Sequence, residues 1–189
     1  MNYMVLGLGV FLGVHCISLF SSVRNSIIEL IGLLTFRLIY SVLTLVGLYL
    51  IIEGWSSFPT WVFYEPPEHL KALNTILMLP AFVLCAIGVL PNNLKHNLPS
   101  PAVLAIILWA SGHIVANGDS RSWLFFGSIQ IYAITNYIAL LIRRQEKVIH
   151  TVSSVWDFGA FAGGAGAYFS VLVGHEWLFG FDPLLSSGF

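Results

Sequence analysis

Two histidines stand inside apolar runs of this 189-residue chain, and they are its clearest chemical resource. His113 lies in the stretch Pro101-Ala-Val-Leu-Ala-Ile-Ile-Leu-Trp-Ala-Ser-Gly-His113-Ile-Val-Ala-Asn117-Gly118-Asp119, which has no acidic or basic residue before Asp119 apart from the histidine itself. His15 lies inside an earlier run, residues 5–20. Ionisable groups within bilayer-length apolar segments are rare, face the protein interior, and serve a ligand, a cofactor or a proton path. Two such imidazoles on two segments suggest a metal or haem held between helices. Haem iron is commonly ligated by histidine, in the neutral form that an apolar setting favours.

Helical geometry sorts the neighbours of each imidazole. At about 100° per residue, Gly9, Gly13, Cys16 and Phe20 share one face of the first helix, and Gly9 with Gly13 would seat a neighbouring helix closely. His15 lies on the other face, with Leu8, Phe11, Leu12, Leu19 and Ser22, a broad apolar surface of the kind a porphyrin requires. His113 shares its face with Ala102, Ile106, Trp109 and Asn117. Trp109 can pack on a macrocycle, and Asn117 can reach a propionate or the far imidazole nitrogen. His15 and His113 are therefore candidate metal ligands, and Trp109 and Asn117 candidate cofactor contacts. A simpler alternative remains: each histidine merely hydrogen-bonds a neighbouring helix.

Other chemistry is thin. The chain has no His-Glu-x-x-His, no serine elbow and no Cys-x-x-Cys. Cys16 and Cys85 read as small buried hydrophobes. His69, His96, His150 and His175 fall in or near connections and read as solvated. Glu29, Glu53 and Arg37 fall at helix ends, where long side chains reach water. Gln130, Thr135 and Asn136 read as interhelical hydrogen bonding. The stretch 159–166 is rich in small residues, with Gly159 and Gly163 spaced for close helix approach.

These residues need a frame, and composition supplies it. The chain is 57% hydrophobic and 9% charged, with a mean hydropathy of +0.85, whereas soluble domains carry roughly 25% charged residues. This predicts an all-α integral membrane protein, a single transmembrane domain over residues 1–189. A net charge of -1 gives no reason to expect nucleic acid as a partner. About six transmembrane helices are expected, over residues 4–20, 36–52, 73–90, 101–116, 123–142 and 156–173, near the ~17 to 25 residues that cross ~30 Å of hydrocarbon. Residues 21–34, moderately apolar with Arg24 and Glu29, read as a short interfacial helix. The first run lacks a positive leader region and a small-residue cleavage site, so it reads as a retained helix.

Arg24, Arg37, Lys95, Arg143, Arg144 and Lys147 fall in the odd connections, against Lys71 and Arg121 in the even ones. The positive-inside rule then places both termini on the outer, periplasmic side. Trp55, Trp61, Trp123 and Trp177 fit an aromatic belt at the interface. In that orientation His15 falls inward of the midplane and His113 outward, an offset of roughly 10 Å at ~1.5 Å per residue. The longest connection, about residues 53–72 with Pro59, Pro66 and Pro67, is too short to build a soluble core.

The segment Leu108-Trp-Ala-Ser-Gly-His113-Ile-Val-Ala-Asn117-Gly118-Asp119, followed by Leu124-Phe125-Phe126-Gly127, resembles the NnrU family of bacterial membrane proteins. Supporting matches are Gly9 to His15, Arg37 with Tyr40-Ser41, and Trp61 with Pro66-Pro67, so the resemblance covers nearly the whole chain. Two departures stand out: Ser100-Pro101 occupies the place of a histidine-proline pair in the family, and His175-Glu176 lacks the proline that often follows that histidine.

The resemblance implies a bacterial inner-membrane location and an association with nitrite and nitric oxide metabolism, that is, denitrification. Its superfamily includes 15-cis-zeta-carotene isomerase, an enzyme with haem b. The matching histidines imply haem b on His15 and His113 here too. That kinship also opens an alternative activity, haem-dependent cis–trans isomerisation of an apolar carotenoid-like polyene drawn from the membrane lipid. A third expectation is non-enzymatic: a structural or assembly subunit packed against partner subunits of a membrane complex.

Overall fold

The structure is a computed structural model and describes residues 2–96, 98–143, 151–180 and 183; Arg144, Lys147 and His150 lie outside these. Among the described residues the regular structure is helical, with one isolated antiparallel bridge between Val62 and Asp119. The helices are α1 (Tyr3–Ile17), α2 (Ser21–Ile31), α3 (Leu33–Trp55), α4 (Glu68–Val89), α5 (Pro101–Ala116), α6 (Ser120–Arg143) and α7 (Val155–Phe179). They fall into two compact units, Met1–Trp61 and Val62–Phe189.

Each of the six apolar runs forms a helix, and the interfacial segment forms α2. Three of these helices, α3, α4 and α6, are long and apolar enough to cross a membrane, and α1 with α2 makes a further candidate only as a pair bent by 91°. At 16 residues, α5 is a shorter apolar helix. Large apolar side chains remain outward, with Leu45, Ile142 and Val173 at 64%, 77% and 79% exposure. Water would tolerate such continuous apolar surface poorly, while hydrocarbon accepts it.

In the first unit α1 packs along α3. The glycines expected to seat this contact do not: an added Cβ at Gly9 or Gly13 would meet nothing within 4 Å. The contact runs instead through Gly7 of α1 and Gly47 and Gly54 of α3. A Cβ at Gly7 would lie 2.6 Å from the Ile51 nitrogen, and one at Gly54 would strike the Met4 backbone. The correction has a simple cause. Small residues on a wheel mark where close approach is possible, but the small residues of the partner helix decide which face is used.

In the second unit α4 packs on both α5 and α7, and α5 packs on α6. Small residues again carry a seam one position away from the expected one. Gly159 has open space around it, whereas Ala160, Gly164 and Tyr168 are buried, and a Cβ on Gly164 would lie 2.6 Å from the Val83 Cα. α7 also runs six residues past its predicted end, so His175 lies in a helix rather than a connection.

Candidate functional site

His15 sits on α1 as part of a local aromatic stack. Its ring lies against Phe11, with centroids 4.3 Å apart and planes 29° from parallel, and Tyr40 of α3 approaches at 5.4 Å. The Nδ1 nitrogen lies 2.7 Å from the Phe11 carbonyl oxygen one turn earlier. A carbonyl oxygen only accepts, so Nδ1 is the donor, and in the neutral ring this leaves the lone pair to Nε2.

His113 on α5 repeats this arrangement with different neighbours. Its Nδ1 donates to the Trp109 carbonyl oxygen at 2.9 Å, which in the neutral ring again leaves the lone pair to Nε2. Phe126 of α6 stacks on the imidazole at 4.5 Å and 25°, and the Trp109 ring lies 5.1 Å away. Trp109 in turn meets Phe126 and Phe125 edge-on, so His113 stands in an aromatic box built by α5 and α6.

Asn117 has a narrower role than its helical position suggested. Its Nδ2 donates to the His113 carbonyl oxygen at 2.8 Å, and so it contacts the backbone of His113 rather than its ring. Asn117-Gly118-Asp119 forms a tight corner. Asp119 caps α6, accepting the Ser122 N–H at 2.9 Å and the Ser122 hydroxyl at 2.7 Å. Gly118 leaves room for the Tyr64 backbone, and its carbonyl oxygen accepts the Phe63 N–H at 2.7 Å. The Tyr64 hydroxyl reaches the Val115 carbonyl oxygen at 2.9 Å, and the Trp123 indole N–H reaches the Asn117 carbonyl oxygen at 2.9 Å. The end of the His113 helix is thus held from three directions.

Two buried oxygens near this region lack a hydrogen-bond partner, Asn74 Oδ1 and Gln130 Oε1. Asn74 faces Gly112, where an added Cβ would collide with Oδ1, and the Gln130 amide donates to Ser111 at 3.0 Å. Among the described residues no cluster of three or more His, Cys, Asp and Glu is placed to hold a metal ion.

Helical faces placed Phe11 beside His15 and Trp109 beside His113, as the ring contacts bear out, but gave no sign of the neighbours from other helices. Tyr40, Phe11 and Phe126 close the two aromatic settings. Tyr40 and Phe126 were visible only as matches in the family-like segments, since a contact between helices leaves no mark in the period of either one.

The geometry defines a class: a helical protein with membrane-length apolar helices and two imidazoles each bonded through Nδ1 to the carbonyl one turn earlier. Comparison with known families sharpens this, since the NnrU protein family profile matches residues 3–183, across both units. The chain belongs to the NnrU family. No curated protein and no solved structure matches it.

Proposed function

We propose that the protein is a six-span membrane haem protein, with both termini on the outer side, that binds haem b through His15 and His113. The observation that carries this reading is the shared state of the two imidazoles. Metal-bound histidines characteristically donate the other ring N–H to a carbonyl or carboxylate, which fixes the tautomer and aims the ligating nitrogen. Both histidines have that bond, at 2.7 and 2.9 Å. Their aromatic neighbours offer flat apolar surface, and Trp109, 5.1 Å from the His113 ring, would pack against a macrocycle held there.

When bound, the haem would supply one-electron chemistry, and release of one imidazole would be needed to open a site for nitric oxide, in keeping with the association of the NnrU family with nitric oxide metabolism and with a bacterial inner-membrane location. The residues of this chain would do the rest. Phe11 and Trp109 hold the imidazole protons through their carbonyl oxygens, and Phe126 and Tyr40 limit ring rotation. Asn117 fixes the turn that carries His113.

The test is the visible spectrum of the detergent-purified protein, oxidised and reduced, beside His15→Ala and His113→Ala. Low-spin haem b bands that disappear in both variants assign both imidazoles to the iron. Bands lost in only one variant overturn the paired ligation, and a colourless protein that stays colourless after haem is added overturns the haem reading.

A further inference from the structure

Two cavities follow one another along the α4–α5 seam, and their linings have opposite character. The first, about 360 Å³, opens at the loop end of the helices and is lined by Gly88, Lys95, His96, Ser100 and Ala102, with two prolines. The second, about 160 Å³, is lined by Ala81, Phe82, Cys85, Ala105, Ile106 and Trp109, with no polar surface. They share helix faces. On α4, Gly88, Cys85 and Ala81 recur at i, i−3 and i−7, and on α5, Ala102, Ile106 and Trp109 recur at i, i+4 and i+7. The two linings thus lie on the same faces of α4 and α5, with Ala102 and Trp109 about 10 Å apart along α5 at ~1.5 Å per residue.

The polar end is built rather than incidental. Asn92 is 1% exposed, and its amide donates to the Ile87 and Leu90 carbonyl oxygens at 2.7 Å each while Oδ1 accepts the Lys95 N–H at 2.8 Å. Asn93 holds the other side of the turn, bonded to Asp157 of α7 and to both backbone groups of Val152. This fixes the backbone of the Leu94–His96 turn and so the base from which Lys95 and His96 project. Beside them α5 begins with Pro101, and the Ser100 side chain makes no capping hydrogen bond to its first turn. A cation, an imidazole, a hydroxyl and the positive end of a helix dipole thus line one opening.

We propose that these two neighbouring cavities together bind an anionic phospholipid. Its phosphate would lie against Lys95, His96, Ser100 and the start of α5, and one acyl chain would lie along the seam as far as Trp109. Charge complementarity and the shared helix faces of the two cavities select this occupant. Free phosphate would leave the apolar seam unfilled, and a hydrocarbon polyene would leave the polar end unmatched. Basic pockets between membrane helices are established sites for anionic headgroups. The inference does not depend on haem.

Native mass spectrometry of the full chain in detergent tests it, with phosphatidylglycerol, phosphatidylcholine and inorganic phosphate as probes. Phosphatidylglycerol is expected to be retained about tenfold better than phosphatidylcholine, and the preference should collapse in Lys95→Gln/His96→Gln while surviving in Lys95→Arg. Cys85→Phe, which narrows the apolar cavity, should weaken phosphatidylglycerol as well. Equal retention of the two lipids overturns the proposal. So does indifference to Cys85→Phe together with displacement by millimolar phosphate, the signature of a free-anion site. Preferential retention of a carotenoid-type polyene that ignores Lys95→Gln/His96→Gln would also overturn it, assigning the seam to a hydrocarbon.

Discussion

His15 and His113 make the same hydrogen bond to the preceding turn, yet the two regions support them differently. His15 belongs to a helix pair in which α1 and α3 meet through glycines, and its ring rests on Phe11 and Tyr40. His113 belongs to a helix whose end is tied by Asn117, Tyr64 and Trp123 and whose neighbour begins at the Asp119 cap. Backbone contact between helices positions the first imidazole, and a hydrogen-bonded corner positions the second. The two imidazoles therefore make the same Nδ1 bond in two different settings, and only the surroundings of the rings differ.

Substitution can separate the routes. The largest effect is expected at the glycines that admit a backbone neighbour: Gly118→Ala drives a Cβ into the Tyr64 backbone, and Gly54→Ala drives one into that of Met4. Each should destabilise its own unit by about 2 to 3 kcal/mol, measured by equilibrium unfolding in detergent. Unchanged midpoints would show that the backbones separate freely and would remove the distinction between the regions.

A smaller loss, about 1 kcal/mol, is expected for Asp119→Ala, which removes the cap of α6 while leaving the first unit untouched. Proton–nitrogen NMR of the imidazoles should then report a change at His113 and none at His15. Equal changes at both rings would contradict the separate support described for them. The smallest effect belongs to Gly13→Ala, within about 0.5 kcal/mol of wild type, because nothing lies within 4 Å of its added methyl group and alanine favours the helix. A large loss there would restore the Gly9–Gly13 face as the seat of the α1 contact.

Much of the helical layout was legible in the sequence, because an apolar run of membrane length flanked by turn residues has few other outcomes. Pro101 and Ala116 were even found as the ends of α5, since a proline at the first helical position and an Asn-Gly corner are strong local signals. Packing was less legible. The buried seam of α7 runs through Ala160, Gly164 and Tyr168 rather than Gly159 and Gly163, and the close contact of α1 uses Gly7 rather than Gly9 and Gly13. A shift of one residue turns a helix face by about 100°, and the information that chooses among neighbouring faces sits on the partner helix.

The sequence by itself determined that this chain is helical, that its helices suit a membrane, that it belongs with the NnrU proteins, and that His15 and His113 are its unusual residues. Those properties follow from hydrophobic length, from charge scarcity and from local motifs, all of which act within one segment. Only the tertiary structure decided that both imidazoles carry their proton on Nδ1, that Phe126 and Tyr40 flank them, that Asn117 serves the backbone of its helix, and that a polar and an apolar cavity share the α4–α5 seam. Apart from the local Nδ1 and Asn117 bonds, these are contacts between segments, set by which side chains from distant stretches of chain meet.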